Sequence, residues 1–598
     1  LTTQGKSDYS GATQEVKSIR YAKRWRIEPS DSAAYRRGEL VRPVKQLVFY
    51  IDSLMPVKWN PYIKAGAESW NKAFEKIGFK DVICVKEFPK NDTLFNANSF
   101  DCMTIRYSAS WLNSAQTTIH SDTRTGEILN ASILINANMI SVQYADRIGA
   151  TVAIDPRVRT TVFPQEIQGE LIQAAIAQAV GTGLGLTMNW GASCAYPVDS
   201  LRSASFTQKY GLASSVMGGV IINDVATEED VRNGVCLVNA KPGPYDELVI
   251  KYLYQPIYAS SLQEEKETLD SWIREHTGDP YYAYIRNQSR FDSDPRNSRG
   301  SLGDDHLKSF DYMLPNVRKG FENYYSWFAK EDRDFLMRRR VHSALSERLS
   351  GRIYAILSYI GGIYLNDIRE KDAIPSYSMV DREKQKAALS KALELAKNLD
   401  WVDDTAHLNE FEISDKKADR LRLDIFNGIF GRLPYVEVCT ERFPGAAYTA
   451  SEYLDDIYGI VWEGVLKHRP LENFERALQT AFLESIISTS TATAPIGSFK
   501  ASKTGFAATG KPEINLAALR NGGKVDMKMY SLQNAEEVAG FSSIPPIYTN
   551  QTKIAAYYFD LLMRTKDMLK KAISTAPEAD RSHYDLLIYR INKATEIE

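Results

Sequence analysis

Gln178-Ala179-Val180-Gly181-Thr182-Gly183-Leu184-Gly185-Leu186-Thr187-Met188-Asn189 closes a long apolar helix, and its reading decides the fold of the first half of the chain. Upstream of it, Gln165 to Val180 carries Ile167, Leu171, Ala174, Ala175 and Ile176 at the spacing of one helical face. Gly185 is the residue at which such a helix is expected to end and the chain to turn. Working outward, Gln46 to Ile51 is a short run of strand formers. Asn60 to Ile77 has helical spacing, with Ile63, Trp70, Ala73, Phe74 and Ile77 near one face. Asp81 to Phe88 and Cys102 to Tyr107 read as strands. Glu127 to Ala137 alternates, with Leu129, Ala131, Ile133 and Ile135 on one face and Asn130, Ser132 and Asn136 on the other. The order is strand, helix, strand, strand, half-polar strand, helix. It predicts an α+β domain, a twisted mixed sheet flanked by two long helices.

The whole chain is too long for one core. Its 598 residues imply two to four domains. Apolar residues at 44% and charged residues at 25% are the balance of a globular protein and exclude collagen-like, coiled-coil and disordered classes. Lys+Arg of 73 against Asp+Glu of 75 gives a net charge of −2, without the basic excess that nucleic-acid binding needs. Leu171 to Leu186 is interrupted by Gln173, Gln178 and three glycines and is too short to span a bilayer, so no transmembrane segment is expected. A first residue that is Leu, with no apolar leader, suits either a cytoplasmic chain or one whose targeting segment has been removed. Five cysteines without a C-x-x-C form neither a disulfide framework nor a zinc ribbon. Cys84 and Cys102, on neighbouring predicted strands, could pair or stay as buried thiols. Arg20 to Arg26 is a basic patch whose Trp25 reads as an anchor.

Boundaries are expected at 1–45 (an extension), 46–225 (the sheet domain), 226–380 (a lower subdomain) and 381–598 (a mainly helical region). Helices are expected over Asp381–Leu399, Asp415–Ile429, Ala450–His468, Leu471–Ile487 and Ile554–Ile573, with a Ser/Thr/Ala/Gly-rich loop from Ser488 to Lys511.

Many short stretches along the chain, in order, carry a family likeness. They are Phe49–Asp52, Pro61–Gly66, Trp70–Lys76, Asp122–Ile133, Asp155–Arg157, Gly185–Leu186, Tyr196–Arg202, Ser215–Met217, Gly243–Asp246, Asp294–Arg296, Gly303–Asp305 and His583–Ile588. On these the chain resembles the large zinc-dependent metalloproteinase-like proteins of Bacteroidota, built around an extended metzincin motif. That motif, H-E-x-x-H-x-x-G-x-x-H, sets two His on one helix face, turns at Gly and closes the zinc site with a third His, the Glu serving as base. Aligned to it, Gln178 and Thr182 stand for the first two His, Met188 for the third and Ala179 for the Glu, while Gly185 keeps the turn. Met217 takes the place of the Met that lies beneath the metal, but is followed by Gly218-Gly219 where Asp-Tyr is common.

Amide, hydroxyl and thioether are poor zinc ligands, and without metal or carboxylate water is not activated. The expected protein is therefore a catalytically inactive pseudopeptidase without zinc, acting as a peptide- or protein-binding scaffold. The alternative is an active zinc peptidase with a non-standard or relocated site. The resemblance further implies export to the periplasm or the outer face of the outer membrane, a lipid anchor outside this sequence and a place in an outer-membrane complex. Peptide is expected to add to an edge strand at Glu127–Ala137, on the side of Asn130, Ser132 and Asn136. The run Gly181-x-Gly183-x-Gly185 misses the dinucleotide fingerprint, since Leu186 replaces its last Gly. The seven His never fall within four residues of one another.

Overall fold

The computed structural model describes residues 1–8, 17–89, 91–112, 115–285, 293–297, 300–366, 368, 372, 374–403, 406–407, 417–489 and 551–595. Two compact units divide the chain: Leu1–Arg432 with Ala446–Tyr448, and Leu433–Gly445 with Thr449–Glu598. The boundary expected at 380 falls inside the first unit.

In the first unit, β1 (Thr3–Asp8) and β2 (Lys17–Ala22) pair antiparallel, and the short helix α1 (Ser32–Arg36) follows. The sheet then forms from β3 (Leu47–Ile51), β4 (Ile83–Glu87), β5 (Met103–Ser108), β6 (Ala115–Ser121) and β7 (Ile128–Asn136), in the order β4-β3-β5-β7-β6. All pairs are parallel except β6 with β7. The mixed sheet is thus as the sequence predicts. Its apolar face (Phe49, Ile105, Ile133) packs with Trp70, Phe74, Ile176 and Val180 in one core. Burying each such large side chain contributes roughly 1.5–3 kcal/mol.

Helices α2 (Asn60–Glu68), α3 (Asn71–Glu75), α4 (Met139–Thr151) and α5 (Gln165–Gly183) belong to this domain. The single helix expected over Asn60–Ile77 is two. The chain turns at Ser69 and Trp70, where the buried Trp70 indole donates to the Ala177 carbonyl at 2.8 Å. After α6 (Ala204–Tyr210), α7 (Glu228–Arg232), α8 (Pro244–Tyr254) and α9 (Leu262–Arg274) come the long α10 (His306–Phe328) and α11 (Leu336–Leu357). The two-stranded pair β8 (Ile363–Leu365) and β9 (Tyr377–Met379) precedes α12 (Arg382–Lys397). Gln385 of α12 accepts the Gly361 N–H at 2.8 Å, which ties that helix into the first unit.

Helix α13 (Lys417–Arg442) spans the boundary. The second unit is helical over its described residues: α14 (Ala450–Val461), α15 (Glu463–Leu466), α16 (Asn473–Thr489), α17 (Gln551–Ala572) and α18 (Glu578–Thr595). From residue 490 the expected Ser488–Lys511 loop lies outside the described residues. Among the described residues no helix is long and apolar enough to cross a membrane.

One expectation needs correction, and one open alternative is decided. The strand over Glu127–Ala137 is not the sheet edge: β7 pairs with β5 on one side and β6 on the other. The chain reverses through Asp122–Glu127 so that β6 covers it. The ladder slips at His120/Ser121, leaving Leu129 without a partner on β6 and 43% exposed, so it does not join the face of Ala131 and Ile133. Cys84 and Cys102 cannot bond either. β3 lies between β4 and β5, which sets them about 9–10 Å apart, beyond disulfide reach. All five cysteines are free thiols.

Candidate functional site

Helix α5 is buried on nearly every side, and Gln178 and Thr182, four residues apart, are among its few half-exposed positions. It ends as the sequence predicts. The Leu186 N–H reaches the Gly181 carbonyl at 3.1 Å and the Gly185 N–H reaches Thr182 at 2.9 Å, a Schellman closure with Gly185 at φ +92°. The remaining carbonyls of that end are capped from far away in sequence. Trp25 Nε1 donates to Gly183 at 2.9 Å and the Tyr254 hydroxyl to Leu184 at 2.7 Å. The Trp25 anchor thus fixes the end of the site helix, and residues 1–45 are part of this domain's packing.

Met217 is fully buried in the short turn Val216–Gly218. A Cβ on Gly181 would stand 2.6 Å from its sulfur and 2.5 Å from the Trp70 ring, so only glycine lets both pack against the helix there. Asp246, at the start of α8, holds this turn. Ser215 Oγ donates to Asp246 Oδ1 at 2.5 Å, and the Val216 and Gly243 N–H groups each donate to Oδ2 at 2.9 Å. Burial pushes the Asp246 carboxyl up to about 7, against the lowering effect of those hydrogen bonds.

Of the three positions aligned to zinc ligands, Gln178 and Met188 meet, and Thr182 lies one turn further along α5. Gln178 Nε2 donates to Met188 Sδ at 3.0 Å, and Thr182 Oγ1 donates to the Gln178 carbonyl at 3.3 Å. Ala179 is buried, and its carbonyl accepts Thr117 Oγ1 at 2.9 Å. Above these residues opens a cleft of about 330 Å³ lined by Ala115, Thr117, Met139, Val142, Gln143, Ala175, Gln178, Ala179, Thr182 and Val220. None of the lining side chains among the described residues is ionisable. Gln143 is 8% exposed, and its Oε1 is buried with no hydrogen-bond partner.

Zinc does not fit this donor set. The hydroxyl and one end of the amide are committed to protein acceptors, the sulfur receives that amide, and amide, hydroxyl and thioether are poor ligands for zinc. Among the described residues no three His, Cys, Asp or Glu side chains group as a metal site elsewhere.

The strand over the cleft is β6. On β7, the Ala137 N–H turns to Ser108 of β5 at 2.8 Å. Alternation then directs residues 131, 133 and 135 to β5 and Asn130, Ser132 and Leu134 to β6. Through the register, Gln116, Thr118 and His120 face β7, and Ala115, Thr117 and Ile119 present N–H and C=O to an edge that pairs with no other strand among the described residues. Asn130 and Asn136 are buried: the Asn130 amide donates to Phe100 O at 2.7 Å, and Asn136 Oδ1 accepts Ser110 Oγ at 2.7 Å. Ser132 is half-buried beside them and donates to Asn130 Oδ1 at 3.2 Å. These three side chains hold the sheet and do not form a groove.

Sequence reading missed β6, α4 and Val220. In Ala115–Ser121 the inward residues other than Ile119 are small or polar, which hides a strand. Met139, Val142 and Gln143 follow helical spacing and were legible.

A mixed sheet with one antiparallel strand over a helix, a glycine turn and a buried methionine turn beneath defines a metzincin-type domain. Residues 160–469, just over half of the chain, match the Met-zincin family model, and the chain belongs to that family. No curated protein and no solved structure matches it.

Proposed function

We propose that this Met-zincin binds an extended peptide or protein segment along β6 without cutting it, as a scaffold component. The observation that carries the reading is the cleft itself. Gln178, Thr182 and Met188 bond to protein groups and not as a ligand set, while the strand above them keeps an edge unpaired among the described residues. From Ala115 to Ile119 that edge has neither Lys, Glu nor Pro, the residues by which proteins commonly blunt an edge. Main-chain hydrogen bonds to an added strand need no metal. At the strand's entrance Trp111 is 89% exposed and Leu112 55%, an apolar rim of the kind that anchors partners. Export to the periplasm or the outer-membrane surface, within a protein complex, is part of the proposal and rests on the sequence resemblance.

A capped seven-residue peptide of alternating serine and valine with a central glutamine serves as probe. It is expected to bind and to be recovered uncut. Ala115→Pro removes one outward N–H at the first residue of the strand, where proline is tolerated, and should weaken binding about tenfold. Unchanged affinity in that variant would remove β6 as the docking edge. Dialysed protein should carry well under one zinc per chain and leave casein intact. Stoichiometric zinc lost on Gln178→Ala, together with cleavage, would establish the metallopeptidase alternative.

A further inference from the structure

We infer that this chain carries a second binding site, separate from the cleft under β6, which takes a small uncharged aromatic molecule bearing a hydroxyl or carbonyl group. The site is a pocket of about 470 Å³ in the first unit, a volume within the range of small-molecule sites. It shares no lining residue with the cleft. One wall is a face of α8, where Tyr245, Leu248, Val249 and Tyr252 recur at helical spacing. The chain after α9 adds Tyr282, Tyr284 and Ile285, and α9 itself adds Ile273.

Four tyrosine rings therefore line one pocket, and their neighbours hold them in place. Tyr245 lies 15° from parallel to Tyr284 with centroids 6.1 Å apart, and Tyr282 stacks on His276 at 3.7 Å. Aromatic walls gain more from a flat ring, by offset or edge contact, than from a saturated one of the same size. The polar substituent is called for by Tyr245. Its hydroxyl keeps accessible surface and makes no hydrogen bond within the chain among the described residues. Burial pushes its pKa well up, so it stays a neutral phenol with a proton to donate. The Arg296 charge is matched before a ligand arrives: it donates to Asp294 Oδ1 at 3.0 Å, to Oδ2 at 2.7 Å and to the Leu365 carbonyl at 2.9 Å. A carboxylate would have to compete with Asp294 for it. Asp279 is exposed, so a cation paired with it would stay in water. A sugar would set hydroxyls against Leu248, Val249, Ile273 and Ile285 without partners.

Titration of the full chain, followed by NMR of the probe, tests this with naphthol, decahydronaphthol, naphthoate and naphthylmethyl-trimethylammonium, all substituted at the same carbon, and with methyl glucoside. Naphthol is expected to bind at submillimolar concentration. Decahydronaphthol should bind about fivefold more weakly, and the charged and sugar probes at least about tenfold more weakly. Tyr245→Phe deletes only the hydroxyl and orphans no group in the chain. It should keep the native thermal midpoint and bind naphthol about three- to tenfold more weakly. Ile273→Trp sits on a helix with no buried residue, fills the pocket from its wall and should weaken naphthol at least about tenfold. The inference is overturned if naphthol does not bind, if any other probe binds as tightly, or if either folded variant keeps full affinity. Displacement of naphthol by the serine–valine peptide would show one shared site and overturn it as well. Naphthol binding that survives saturating peptide, or that persists where the peptide does not bind at all, upholds this site independently of the edge-strand reading.

Discussion

Gly185→Ala is expected to destabilise the first unit by about 3–5 kcal/mol, the sum of a backbone and a packing effect. Gly185 has φ +92°, where an L-residue is strained by about 1–2 kcal/mol. The added Cβ would stand 2.2 Å from the Lys23 carbonyl oxygen and 3.3 Å from its carbon. Both atoms are backbone, and that segment is held in turn: Lys23 N–H donates to Thr2 O and Thr2 N–H to Gly185 O, each at 2.9 Å. Relief of the clash therefore means lifting residues 1–2 and 23–25 from the end of α5, which also loosens the Trp25 cap on Gly183. Gly219 provides the control. Its φ is +93° and its ψ −176°, a backbone region used almost only by glycine, but a Cβ there meets nothing within 4 Å, so Gly219→Ala should cost only a backbone part, about 1–3 kcal/mol. Urea unfolding of both variants checks the difference. Equal losses would mean that strain alone explains Gly185 and that the Lys23 contact yields cheaply.

The contrast between these two glycines shows what was legible in the chain. Gly185 was readable as a helix stop because helix-ending glycines have a local signature. That Lys23 would press on it was not, since the contact joins residues more than 160 positions apart. The same division runs through the sheet. Strands with β-branched or aromatic inward residues, such as Leu47–Ile51, announce themselves. β6 does not, because Ala115 and Thr117 leave Ile119 as the one large apolar residue on its inward face. Missing β6 made β7 look like the edge, and Asn130 and Asn136 look like groove residues when they are buried. Alignment to a motif found Gln178, Thr182 and Met188, but nothing in their spacing foretold that Gln178 would bond to Met188. Gln143 lay in a segment with readable helical spacing; its missing partner is a property of the folded molecule alone.

Removing the Asp246 carboxylate should be as damaging as the glycine change. Asp246→Ala leaves the Ser215 hydroxyl and the Val216 and Gly243 N–H groups without their acceptor inside the core, at about 1–3 kcal/mol for each unpaired group. After partial relaxation a loss of about 3–5 kcal/mol is expected, with faster amide exchange at Val216, Met217 and Gly243. Asp246→Asn should be milder, because its amide oxygen still accepts the two N–H groups. The two substitutions also differ from the native chain in pH dependence, and the sign follows from burial. The carboxyl rises from its ordinary 3.8 to about 7 on folding, so between these values the folded chain binds a proton that the unfolded chain has released. Its contribution is complete below about pH 4 and is lost as pH rises through 7, a change on the order of 4 kcal/mol at 1.36 kcal/mol per pH unit. His306 works in the opposite sense. Burial lowers it to about 4, so its contribution is present above its ordinary 6.5 and lost as pH falls towards 4. The native profile sums both trends, which is why the comparison must be made between variants. Asp246→Asn removes only the first, and its stability relative to native should therefore improve steadily from pH 4 to pH 8. A difference between the two proteins that stays constant across that range would mean that Asp246 is ionised throughout, held so by its three donors despite its burial.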